Sequence, residues 1–223
     1  MSEKLFKQAI LKYALGVVAV GLLIFLPAGT LAFWNGWLLM GILFIPMFIA
    51  GVVLMFANPK LLKSRLKAKE SESEQRAVIA LSGIMFLVGF ILSGLNFRFS
   101  WFVLPTWVVG IAVILFLIAY ALYAEVLREN SYLSRTIEVQ EGQKVVDTGL
   151  YSIVRHPMYS VTMVLFLAMP LVLGSPPSFL IFLVYPLILV KRIRNEEQVL
   201  AEQLAGYRTY MQKVKYRLLP FVW

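Results

Sequence analysis

Four stretches of this chain, residues 13–31, 34–57, 77–97 and 101–124, are each about 20 residues long and almost free of charge. At about 1.5 Å per residue, roughly 20 apolar residues wound as a helix cross about 30 Å of hydrocarbon. A fifth run, 158–174, is a little short for that. A sixth, 179–190, is clearly short and carries Pro186. The expected fold is therefore an all-α integral membrane protein: four transmembrane helices plus a C-terminal helical hairpin, about six membrane segments. Composition agrees. The chain is 60% hydrophobic and 15% charged, with a mean hydropathy of +0.79; a soluble domain has about 45–50% apolar and about 25% charged residues. Lys4, Lys7 and Lys12 precede the first run, but that run exceeds the roughly 7–15 apolar residues of a signal peptide and reads as part of the mature chain.

Charge sets the expected orientation. With the N-terminus in the cytoplasm, the connectors 58–76 and 125–157 and the tail from 191 also lie inside. Arg98 is then the only one of 21 Lys and Arg residues left outside, and all twelve acidic residues fall inside. Lys and Arg gather on cytoplasmic loops, so both termini are placed in the cytoplasm. The net charge of +9 is then explained by a basic face on anionic headgroups, and no nucleic acid is needed. Trp34, Trp37, Trp101 and Trp107 fall near the outer helix ends, where an aromatic belt belongs. The absence of cysteine, together with a single histidine, makes a metal centre a poor expectation.

The chain divides into N-terminal transmembrane helices (1–124) and a C-terminal part (125–223) of loop, membrane hairpin and cytoplasmic helix, integrated as one domain. In connector 58–76, Leu61, Leu62 and Leu66 at helical spacing fit a short helix on the membrane surface; a solvated basic loop fits equally well. The loop 125–157 is the longest polar stretch. Gly142 and Gly149 flank QKVVDT, read as irregular or briefly extended. Its valines and isoleucines are too apolar for disorder, so it is expected to pack against a ligand and the membrane surface. The last helix is expected to run out of the membrane through KRIRNEEQVLAEQLAGYRTY.

Unusual polar groups gather at 149–159 and 191–197, both at the cytoplasmic end of the hairpin. Arg192 and Glu196 are four apart and share a helix face; Glu197 points about 100° away from Glu196. Such a pair also occurs on plain surface helices. Arg155 could hold a lipid phosphate, and His156-Pro157 could be a helix start with Pro at its first position. Glycine-rich nucleotide loops, zinc-protease helices and nucleophile elbows are absent from the sequence.

The series GLYSIVRHPMY, a short hairpin, R-x-R-N-E-E-x-x-L, G-Y-x-x-Y and a closing L-L-P-F resembles the isoprenylcysteine carboxyl methyltransferase family, to which phospholipid N-methyltransferases are related. The resemblance covers residues 130–223. It implies S-adenosylmethionine as methyl donor, bound by Gln143, Lys144, Val145, Val146, Tyr151, His156, Pro157, Met158, Tyr159 and Glu197. It also implies that Arg192 and Glu196 handle the acceptor. Two positions depart from the family pattern: Leu150 replaces a proline in the usual GPY, and Val161 replaces a glycine.

The activity so implied is methyl transfer to a lipophilic, isoprenylcysteine-like carboxylate, with a prenylated or small lipophilic acceptor and membrane lipids as partners. The site would face the cytoplasm, from a bacterial plasma (inner) membrane or a eukaryotic endoplasmic reticulum. A phospholipid or lipid-amine N-methyltransferase would use much the same residues. A sterol-reductase architecture would need a nicotinamide site that the sequence does not display. From a different class, a small transporter or non-catalytic scaffold remains open, although Pro46 and Pro186 are the only hints of broken helices near mid-membrane.

Overall fold

The structure, a computed structural model, describes residues 3–66, 73–134, 137 and 139–223. Among these the fold is all helical: α1 (Glu3–Ala28), α2 (Trp34–Ala57), α3 (Pro59–Arg65), α4 (Ser73–Phe99), α5 (Thr106–Glu129), α6 (Pro157–Val172), α7 (Pro176–Phe182), α8 (Tyr185–Gln203) and α9 (Tyr207–Lys213), with a short 3-10 helix at Gly149–Ser152. Five spans are long and apolar enough to cross a membrane: Leu5–Ala28, Trp34–Ala57, Arg76–Phe99, Thr106–Glu129 and Pro176–Gln203; Pro157–Val172 is shorter. The expected hairpin is present, with one difference in its second arm. Pro186 offers no N–H and crowds the preceding carbonyls, and the arm is built as α7 and α8, meeting at Leu183–Val184.

Other boundaries shifted for local reasons. The fourth long helix starts at Thr106 rather than 101, because Pro105 sits in an extended conformation at its cap. It then runs on to Glu129, so Glu125 and Arg128, read as loop, form an ion pair three residues apart on its last turns. Asn58 caps α3 by accepting from the Leu61 N–H at 3.1 Å, with Pro59 opening the helix, an arrangement suited to both residues. Of the two readings of 58–76, the helix holds over 59–65, and Leu61 and Leu62 are buried; residues 67–72 lie outside the described set.

One glycine marks a close helix crossing. An added Cβ at Gly94 would lie 2.5 Å from the Ile24 carbonyl and 2.9 Å from the Ala28 nitrogen, so glycine sets how near α1 approaches α4, as small residues do at membrane helix crossings. Tryptophans 34, 37, 101 and 107 are exposed at one end of the bundle. At the other end α3, the described residues of the loop 130–156, the polar half of α8 and α9 come together. The functional candidates all lie there.

Candidate functional site

Two arginines and the histidine converge on one carboxylate beneath this end. Arg155 Nε donates to Glu197 Oε1 at 2.6 Å, His156 Nε2 is 3.2 Å from the same oxygen, and Arg217 Nε donates to Oε2 at 2.7 Å. Arg155, His156 and Glu197 are 6%, 5% and 4% exposed. An ionised carboxylate cannot sit in such a place without partners, and here it has three. Arg155 also donates through Nη1 to the Val214 and Lys215 carbonyls at 2.7 and 3.1 Å. The backbone N–H groups of Arg155 and His156 donate to the Tyr216 and Arg217 carbonyls, each at 2.9 Å. The RHP element thus ties the loop, α8 and the tail into one buried knot. The lipid-phosphate reading of Arg155 gives way to this ion pair. The helix-start reading holds: α6 begins at Pro157, with His156 at its cap position.

Above the knot lies a cavity of about 460 Å³, lined by Gln143, Lys144, Val145, Val146, Tyr151, His156, Met158, Tyr159, Arg192 and Glu196. Ten of the twelve residues singled out in the sequence therefore share one chamber. Pro157 and Glu197 are not on its wall. Pro157 is taken up in starting α6, and Glu197 in anchoring Arg155, His156 and Arg217. Inside the chamber, Arg192 Nε donates to the Tyr159 hydroxyl at 2.7 Å, and that hydroxyl donates to Glu196 Oε2 at 2.5 Å. The Tyr159 ring lies against His156 (centroids 5.6 Å, 26°) and under the Arg192 guanidinium at 5.7 Å. Arg192 and Glu196 are thus held at their shared face by a phenol from α6.

Several residues of the site escaped the sequence reading. Both Glu129 oxygens accept from the Leu150 N–H, at 3.1 and 3.0 Å. The family's proline would have no such donor, so the Leu150 departure supplies a bond that this chain uses. Gly149 has φ +53°, and a Cβ there would fall 1.5 Å from Glu129 Oε1; only glycine fits. Asn130 donates to the Tyr151 hydroxyl at 3.0 Å, and Tyr210 donates to the Tyr151 carbonyl at 2.7 Å. Val161 is buried among the helices and is not on the chamber wall. Arg65, from α3, lines the cavity and reaches the Tyr123 hydroxyl at 2.6 Å and the Ser134 carbonyl at 3.2 Å. Burial pushes the phenols of Tyr151, Tyr207 and Tyr210 up, so all three stay protonated donors.

The chamber has two kinds of wall. One, from α4, α6 and α8, is apolar: Phe86, Phe166 and Leu189. The other consists of the loop 143–146 and α9. This loop is fastened lightly from outside, by Lys213 Nζ on Asp147 Oδ2 at 2.7 Å between two exposed side chains. Gln143 accepts from the Gln140 N–H at 2.8 Å through its side-chain oxygen, closing the turn that precedes it. Buried in the α9 wall is the Tyr207 hydroxyl, which has no hydrogen-bond partner among the described residues; leaving such a group unsatisfied costs about 1–3 kcal/mol.

Fold and site together define a multi-helix membrane protein with a half-polar, half-apolar chamber at one end of its bundle. Residues 108–202 match the Isoprenylcysteine carboxyl methyltransferase (ICMT) family, which bears out the resemblance carried by GLYSIVRHPMY and the glutamate pair. The match reaches back through α5 and stops before α9 and the tail. The chain is also similar to the Delta(14)-sterol reductase TM7SF2 of Mus musculus, 29% identical over 91 residues; these make up 40% of this chain and 22% of the relative. The chain thus spans about a fifth of the length of the curated relative it matches.

Proposed function

We propose that this chain is an S-adenosylmethionine-dependent methyltransferase of the membrane, with its chamber on the cytoplasmic side and a lipophilic carboxylate as acceptor. The observation that carries this reading is the Arg192–Tyr159–Glu196 chain of hydrogen bonds, inside the same cavity as residues 143–146. About 460 Å³ suits a nucleoside-sized ligand, since pockets for such molecules run to about 300–1,000 Å³. When bound, S-adenosylmethionine supplies a sulfonium methyl group. Arg192, held at Nε by Tyr159, supplies the positive charge that draws an acceptor carboxylate into the chamber. Glu196 supplies negative charge where a cationic donor would lie. The apolar wall of Phe86, Phe166 and Leu189 lowers the local polarity, which strengthens attraction between opposite charges. The acceptor's lipid part lies along Phe86, Phe166 and Leu189.

Tyr159→Phe tests this reading. It keeps the ring but removes the hydroxyl that orders Arg192 and Glu196. Radiolabelled methyl transfer into a lipid extract should fall roughly 100-fold, the scale of a misplaced reacting group. Full activity in Tyr159→Phe, or no transfer to any lipid by the wild type, would refute the assignment. Two other readings have a specific observation behind them. Glu196 on the chamber wall would serve a lipid-amine acceptor as a base, and the labelled product would then be an alkali-stable amine rather than a labile ester. The similarity to a sterol reductase supports a reductase reading, in which a reduced nicotinamide and not S-adenosylmethionine would protect the protein against thermal unfolding.

A further inference from the structure

We propose that the Tyr207 hydroxyl is a ligand-binding group, donating a hydrogen bond to the nucleoside part of the methyl donor. This inference rests on the methyltransferase reading and extends it beyond the matched residues 108–202. Tyr207 is 4% exposed and lines the chamber, and its hydroxyl has no protein partner among the described residues. Its neighbour Tyr210, three residues on and 5.7 Å away ring to ring, uses its own hydroxyl on the Tyr151 carbonyl. The two phenols share a wall, and only one is satisfied from within the fold. Gly206, at φ +84°, turns the chain into α9 and sets Tyr207 on that wall. Buried phenols ordinarily find a partner, so the remaining donor is available to a guest.

Placement decides which guest. Tyr207 packs with Leu204 and Tyr210, and Val139 and Val145 close over that cluster. This is the loop side of the chamber, away from the apolar wall of α4. The aliphatic side chains of Leu204, Val139 and Val145 suit the flat faces of an uncharged heterocycle, and the Tyr207 phenol, near the charges of Glu196, Glu197 and Arg155, suits its polar edge and the sugar hydroxyls. Titration of the purified protein with S-adenosylhomocysteine, and with adenosine as the truncated probe, tests the proposal. Tyr207→Phe should weaken both ligands about 5- to 30-fold, the effect of one buried hydrogen bond. Without ligand it should melt at or above the wild type, because it loses an unsatisfied group. Tyr210→Phe should melt lower, having lost its bond to Tyr151. Unchanged affinity in Tyr207→Phe, or a ligand-free melting point lowered as in Tyr210→Phe, overturns the inference and leaves the methyltransferase reading standing. Wild-type protein that binds neither probe overturns both.

Discussion

Glu197 shows how a side chain can matter to a site without facing it. Its two oxygens serve Arg155, His156 and Arg217, and through them the loop and the tail. Exchanging it for glutamine keeps the shape and removes the charge, which leaves Arg155 buried without a counter-ion. Removing one partner of a buried pair costs about 3–5 kcal/mol. Glu197→Gln should therefore lower the melting temperature in detergent far more than Glu196→Gln, whose partner lies in the chamber; equal melting of the two would contradict this account. In the sequence the neighbouring glutamates look alike. The 100° between them on a helix predicts different surroundings, and the structure bears that out. What spacing could not say is that Arg217, twenty residues on, would return to Glu197, or that Tyr159 would bridge Arg192 and Glu196. Both depend on how the tail and α6 fold back.

At the level of elements, the long apolar runs were legible because lipid makes length and hydropathy nearly sufficient. The polar end was less so. α5 outran its apolar stretch because Glu125 and Arg128 support each other outside it, and the last arm broke at Pro186. The packing of pairs was invisible, since it depends on which small residue meets which backbone. The crossing of α1 and α4 offers a test. Gly94→Val would drive a branched side chain into the Ile24 carbonyl and Ala28, and overpacking of this kind costs about 1–3 kcal/mol. Gly41 and Gly51, on α2, have nothing within 4 Å of an added Cβ, so Gly41→Ala and Gly51→Ala should leave stability in detergent unchanged or slightly raised. A Gly94→Val protein as stable as wild type would show that the crossing is not close.

For the molecule as a whole, the distribution of Lys and Arg is the ground for proposing that the chamber faces the cytoplasm. The chain has no cysteine, so single reporters can be introduced without background. Glu141→Cys, on the loop beside the chamber, should react with an impermeant maleimide only in inside-out vesicles. Val103→Cys, at the tryptophan end and 83% exposed, should react only in right-side-out vesicles; labelling of both from one side would overturn the arrangement of crossings. The chamber's two fastenings also differ in kind. Below, one buried carboxylate holds the buried Arg155 and His156 and the partly exposed Arg217; above, one lysine and one aspartate meet in water, where salt screens them. On the proposed reading, a soluble guest enters and leaves by lifting the roof while the floor stays clamped, so the helices need not part for each turnover.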